Sequence, residues 1–170
     1  GPLYDELLLR LRGQQCSIDI GPRMMTNTLS FSGDMAPVEE LVRHRGQMLL
    51  IDRLVEASAS HAVGEVTITP RSSFFRAGRG VPAYVGLEYM AQTVAAFDGA
   101  RRLKSGEAPA IGFLLGTRRY ASKVKFFLAE TLLSVHVSMV FSEGGMASFE
   151  CVISSFGEEL VTASLNVYRP

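Results

Sequence analysis

The chain has 170 residues, 47% of them hydrophobic, a length and composition that fit one domain with a sizeable core. Lys+Arg and Asp+Glu both number 17, so the charge balance gives no reason to expect nucleic acid or another polyanion as a partner. Cys16 and Cys151 are the only cysteines and make no CxxC or Cys/His pattern, and no apolar run approaches the ~20 residues that span a bilayer; a cytoplasmic protein without structural zinc or membrane contact is expected.

Residues 1–34 read differently from the rest. Leu3 and the Leu7 to Leu11 cluster suit a short amphipathic helix, but Gly13, Gly21-Pro22 and Gly33 interrupt any regular element beyond it, and the segment stands as an unassigned N-terminal arm. Residues 35–170 read as one domain. Ala36 to Arg43, capped by Asp34, predicts a short helix that ends at His44-Arg-Gly46. Met48 to Ala57 and Ala62 to Thr69 are β-rich and joined across Ser58-Ala-Ser60, which predicts a hairpin. The Arg71 to Gly80 loop carries Phe74-Phe75 and leads to the most apolar stretch of the chain.

That stretch, Ala83 to Phe97, has only Glu88, Gln92 and Thr93 as polar residues. Pro82 is placed to start a helix, good helix formers come after it, and a helix apolar on nearly every side is one that other elements enclose. It should fade near Lys104-Ser-Gly106. Glu88 and Gln92, four residues apart, share one stripe of it. Four more strand-like runs come next, at 111–120, 131–141, 146–155 and 159–168. In the second, Leu133, Val135, Val137 and Met139 alternate with Ser134, His136 and Ser138, as a sheet with one covered face requires. Two strands, a long apolar helix and four strands make an α+β order in which one antiparallel sheet curls around the helix, the hotdog fold. A sheet covered on one side only commonly pairs with a second copy.

Arg43-His-Arg-Gly-Gln-Met-Leu-Leu-Ile-Asp-Arg53 and Pro82-Ala-Tyr-Val-Gly-Leu-Glu-Tyr-Met-Ala-Gln92 together resemble the β-hydroxyacyl-[acyl-carrier-protein] dehydratases of the FabA/FabZ type, and most of all their ApeP-like branch. The resemblance runs from about Val38 to Tyr168. It implies dehydration of 3-hydroxyacyl thioesters to trans-2-enoyl thioesters, with no metal or redox cofactor and the substrate held on the phosphopantetheine of an acyl carrier protein. It also implies a homodimer, or a heterodimer with another hotdog dehydratase. Glu88 matches the catalytic acid of the helix motif. The family's Gly-His-Phe-Pro loop after a Phe-Phe pair is missing, since Phe74-Phe75 is followed by Arg76-Ala-Gly-Arg-Gly80, and His44 is the candidate replacement base.

Such an elimination needs a base for the α-proton, an acid for the leaving hydroxyl, and donors that polarise the thioester carbonyl. Imidazole titrates near neutrality, which suits His44 to the first task. Backbone N–H groups of the first helical turn suit Gly86 and its neighbours to the third, and close packing against a strand is the other reason for a glycine there. Gln92 is a candidate to orient Glu88 or a bound carbonyl. Phe75 and Tyr84, with Phe74, Tyr89, Met90 and Phe113, are candidates to line an acyl tunnel, although ordinary core roles suit most of them. Arg118, Arg119, Lys123 and Lys125 form a basic cluster suited to an acidic carrier protein, or to protecting a strand edge. His61 and His136 have no acidic or cysteine companions in their strand patterns and are expected on the sheet surface. A structural carboxylate at Glu88 and a capping or surface imidazole at His44 are the plain alternatives. At the level of function these become a non-catalytic hotdog partner subunit, an acyl thioesterase, or a passive acyl-binding module.

Overall fold

The computed structural model describes residues 35–110 and 112–170; the N-terminal arm lies outside the described residues. The chain runs through helix α1 (Val38–Leu41), a 3-10 turn (Gly46–Met48), and strands β1 (Arg53–Ala57) and β2 (His61–Ile68). Strand β3 (Val81–Pro82) and a second 3-10 turn (Ala83–Val85) then lead into α2 (Gly86–Lys104). Strands β4 (Phe113–Ser122), β5 (Phe126–Phe127), β6 (Thr131–Glu143), β7 (Met146–Ser155) and β8 (Glu158–Tyr168) complete it. Six strands form one antiparallel sheet in the order β1-β2-β6-β7-β8-β4, and β3 pairs with β5 in a separate ribbon.

The alternation read along β6 is the one observed: Leu133, Val135 and Val137 are fully buried, with His136 and Ser138 on the solvent side. Across the ladder Val135 faces Ile153 and Val137 faces Cys151, so one side of the sheet presents a continuous apolar surface. Helix α2 lies in the curl of that surface. Phe97 meets the edge of Phe149 at 5.8 Å between centroids, and Tyr89 packs on Phe127 at 6.0 Å. Tyr89 and Met90, read from sequence as either tunnel or ordinary core, are core.

Three expectations are corrected. The first strand begins at Arg53 and not at Met48, because Gly46 turns the chain at φ 59° and a side chain of α2 takes the backbone groups of Met48 and Leu50 that a ladder would use. Among the described residues, the helix is not wrapped on every side. Leu87, Glu88, Ala91, Ala95, Asp98 and Arg102 form a half-exposed stripe that the single sheet does not reach. His61 does have an acidic companion: its Nε2 lies 2.7 Å from Glu56 Oε1 and its Nδ1 2.6 Å from Ser58 Oγ. That hydroxyl also accepts the N–H groups of Ser60 and His61, so the cluster locks the β1–β2 turn.

Candidate active site

The start of α2 is fixed from the sheet. Tyr120 on β4 donates its hydroxyl to the Ala83 carbonyl, and the Leu87 N–H points back at the phenol oxygen. Burial pushes this phenol up to about 12, with the Leu87 bond acting the other way. A Cβ on Gly86 would lie 2.7 Å from the Tyr120 hydroxyl and 2.9 Å from Ile153 Cδ1, so the missing side chain lets the helix seat on the sheet. The Gly86 N–H is bonded to the Ala83 and Tyr84 carbonyls and offers no free donor for a thioester oxygen.

One turn further along, Gln92 is completely buried and fully bonded. Its Oε1 accepts the Leu50 N–H at 2.8 Å, while its Nε2 donates to the Met48 carbonyl at 2.7 Å and to Glu88 Oε1 at 3.1 Å. Such a buried amide must be satisfied, and here satisfaction requires the loop before β1 to lie against the helix. Gln92 therefore staples that loop and has no donor left for a bound carbonyl. Within the loop, Arg45 Nη1 donates to the carbonyls of Val42 at 2.6 Å and His44 at 2.8 Å, which pins the backbone on either side of the imidazole.

The staple brings His44 and Glu88 together. His44 Nε2 lies 3.6 Å from Glu88 Oε1, with the two side chains 37% and 40% exposed, so both are half-sheltered and open to a ligand. His44 Nδ1 is turned inward and finds no hydrogen-bond partner among the described residues. The pair stands at the head of a groove of about 540 Å³. Its floor is the uncovered stripe of α2, including Ala91 and Ala95; Phe113 and Leu114 of β4 and Val167 of β8 form its walls. Asp98, Arg101, Arg102 and Arg169 surround its far end.

The other sequence candidates fall elsewhere, apart from Phe113. Phe75 is half-buried against the core, and Tyr84 is 63% exposed with its hydroxyl accepting from Arg76 Nη2 at 3.1 Å. Neither lines the groove. Arg118 and Arg119 are exposed on β4, Lys123 sits 3.4 Å from Glu159, and Lys125 borders a second cavity of about 730 Å³ beside Arg79 and Phe126. The sequence reading missed Ala91, Ala95 and Arg101 as groove residues. For Ala91 and Ala95 the i+3 and i+7 spacing from Glu88 was the available signal, but it has meaning only once the uncovered face of α2 is known; Arg101, thirteen residues on, is not on that stripe and had no such signal.

Comparison with known proteins gives the family. The ApeP-like family, described as ApeP dehydratase, matches residues 36–170. The chain is 30% identical over 135 residues to the 3-hydroxyacyl-[acyl-carrier-protein] dehydratase FabZ of Pseudothermotoga lettingae, covering 76% of this chain and 91% of that protein. It superposes on a chain of the dehydratase heterocomplex ApeI:P from Xenorhabdus doucetiae with TM-score 0.76 and 30% identity, over 81% of this chain and 93% of that one. The E. coli PaaI protein, at TM-score 0.55 and 10% identity over 71% of this chain and 79% of its own, shares the fold alone. With a matching sequence span of this length, a hotdog sheet around one helix and the motif glutamate beside a histidine, the chain belongs to the ApeP-like dehydratase family.

Proposed function

We propose that this protein dehydrates 3-hydroxyacyl thioesters carried on the phosphopantetheine of an acyl carrier protein, giving trans-2-enoyl thioesters, with residues 35–170 as the dehydratase domain. The observation that carries this is the approach of His44 Nε2 to Glu88 Oε1, 3.6 Å apart, at the head of a groove lined beyond them by Ala91, Val94, Ala95, Phe113, Leu114 and Val167. His44 takes the α-proton through Nε2. Glu88, protonated, gives its proton to the β-hydroxyl, which leaves as water while the α,β double bond forms. One proton enters the pair and one leaves it, so a transfer from imidazole to carboxylate resets the site. No overall oxidation or reduction occurs, and the chemistry calls for no metal or redox cofactor. The reducing cytoplasm is the compartment that suits this role.

A partner subunit belongs to the proposal. Among the described residues, strand β4 pairs with β8 on one side only and exposes Phe113, Leu114 and Leu115, beside the stripe of α2 that its own sheet leaves open. A second hotdog chain along β4, either another copy or a related dehydratase as in the ApeI:P complex, covers both and closes the groove toward a tunnel. The exposed Arg118 and Arg119, with Lys123 and Lys125, face the acidic carrier. The test is to incubate the purified chain, alone and with a genomically neighbouring hotdog protein, with 3-hydroxyacyl-carrier thioester and to follow the enoyl product. Conversion in either case is the expected result. Release of free thiol instead identifies a thioesterase, and binding without turnover a passive acyl module.

A further inference from the structure

The groove's lining is mixed, with an apolar stretch between two charged ends, and only one of those ends is used by the elimination. From Glu88 to Arg101 the helix advances thirteen residues, which is roughly 20 Å of axis at the α-helical rise. Along that length the lining includes Ala91, Val94, Ala95, Phe113, Leu114 and Val167. At the far end three arginines meet two carboxylates. Arg102 is held by Asp98 at 3.2 Å and Glu107 at 2.7 Å, and Arg169 by Asp98 at 2.7 Å. Arg101 has no carboxylate within 4 Å among the described residues; its guanidinium lies over the Phe97 ring, 5.4 Å from the centroid. That stacking orients the guanidinium and leaves its N–H groups without an anion.

We infer that Arg101 reads the far terminus of the acyl chain and selects substrates that end in an anionic oxygen, a carboxylate above all. The inference deepens the dehydratase proposal and rests on it for the orientation of the thioester at His44 and Glu88. The apolar middle of the groove decides which part of the substrate lies there. Pantetheine carries two amides that would lose their hydrogen bonds against this lining, whereas an acyl chain loses none. An alkyl terminus, by contrast, offers the exposed Arg101 guanidinium nothing to bond. A positive charge at this point is also not needed for the helix end alone, since Arg102 and Lys104 already supply it.

The test uses N-acetylcysteamine thioesters of saturated acyl chains, matched in length and ending in either methyl or carboxylate, titrated calorimetrically into the full chain. Lacking a 3-hydroxyl, they report binding without reaction. The wild type is expected to bind the carboxylate-ended ligand about tenfold more tightly at some chain length, the ratio falling to about one in R101Q and recovering in part in R101K. Equal affinities in the wild type, a ratio unchanged by R101Q, or no binding of either ligand overturns the inference. A third titration, with coenzyme A lacking an acyl group, separates the sources of the anion: weakening by R101Q there, without a carboxylate preference, assigns Arg101 to the phosphate of the arm and overturns it too. Turnover of the matching 3-hydroxyacyl thioesters is scored separately, so a failure of the dehydratase proposal is not confused with a failure of this one.

Discussion

His44 offers its two nitrogens to different surroundings, and this decides what the pair with Glu88 can do. Nε2 faces the carboxylate and the groove, while Nδ1 is buried without a partner among the described residues. For Nε2 to accept the α-proton, Nδ1 must carry the other hydrogen and leave it unbonded, which costs about 1–3 kcal/mol. The opposite tautomer leaves Nδ1 a buried acceptor, equally unpaired, and makes Nε2 a donor and the Glu88 carboxylate the base. Exchange of the substrate α-proton with deuterated solvent distinguishes them. With His44 as base, Glu88→Gln lowers turnover by about 10²–10⁴-fold yet keeps α-exchange, and His44→Asn abolishes both. Loss of exchange in Glu88→Gln, seen by mass spectrometry of recovered substrate, reverses the roles. The sequence named both residues from motif position, but their 3.6 Å approach depends on how the loop is held, which no local pattern encodes.

Among the elements, the segment from α1 to Leu50 and helix α2 are held together by two contacts in particular. Gln92 binds the loop backbone at Met48 and Leu50. Replacing it by Leu leaves the buried Leu50 N–H and the part-buried Met48 carbonyl without their partner, so a loss of about 1–3 kcal/mol in urea unfolding is expected, together with reduced turnover as His44 loses its position. The second contact lies at the other end of the helix. A Cβ on Gly99 would come 1.9 Å from the Leu41 carbonyl of α1, a backbone atom that cannot step aside without moving the helix. Gly99→Ala should therefore cost about 2–3 kcal/mol, or roughly 5–10 °C in Tm by calorimetry. Gly86 and Gly99 look alike in sequence, as single glycines in a good helix. What each one touches, the Tyr120 hydroxyl in one case and a carbonyl of α1 in the other, comes from distant segments of the chain.

For the whole molecule, the uncovered stripe of α2 and the unpaired edge of β4 lie side by side, and a partner chain removes both liabilities at once. Leu115→Lys places a charge on that edge, 55% exposed in the single chain, with no core contact to lose. Sedimentation should then show a shift from dimer toward monomer with circular dichroism unchanged; an unaltered dimer would place the interface elsewhere. The sequence by itself determined the α+β order, the inward face of β6 and the position of the helix acid, because period, turn residues and a gapless motif are local properties of the chain. Only the tertiary structure decided that Gly86 serves packing, that Gln92 is a staple, that Tyr89 and Met90 are core, and that the groove runs from Glu88 to Arg101. Each of those depends on which strand arrives opposite a given turn of the helix, and that is set by sheet curl and register across segments far apart in the chain.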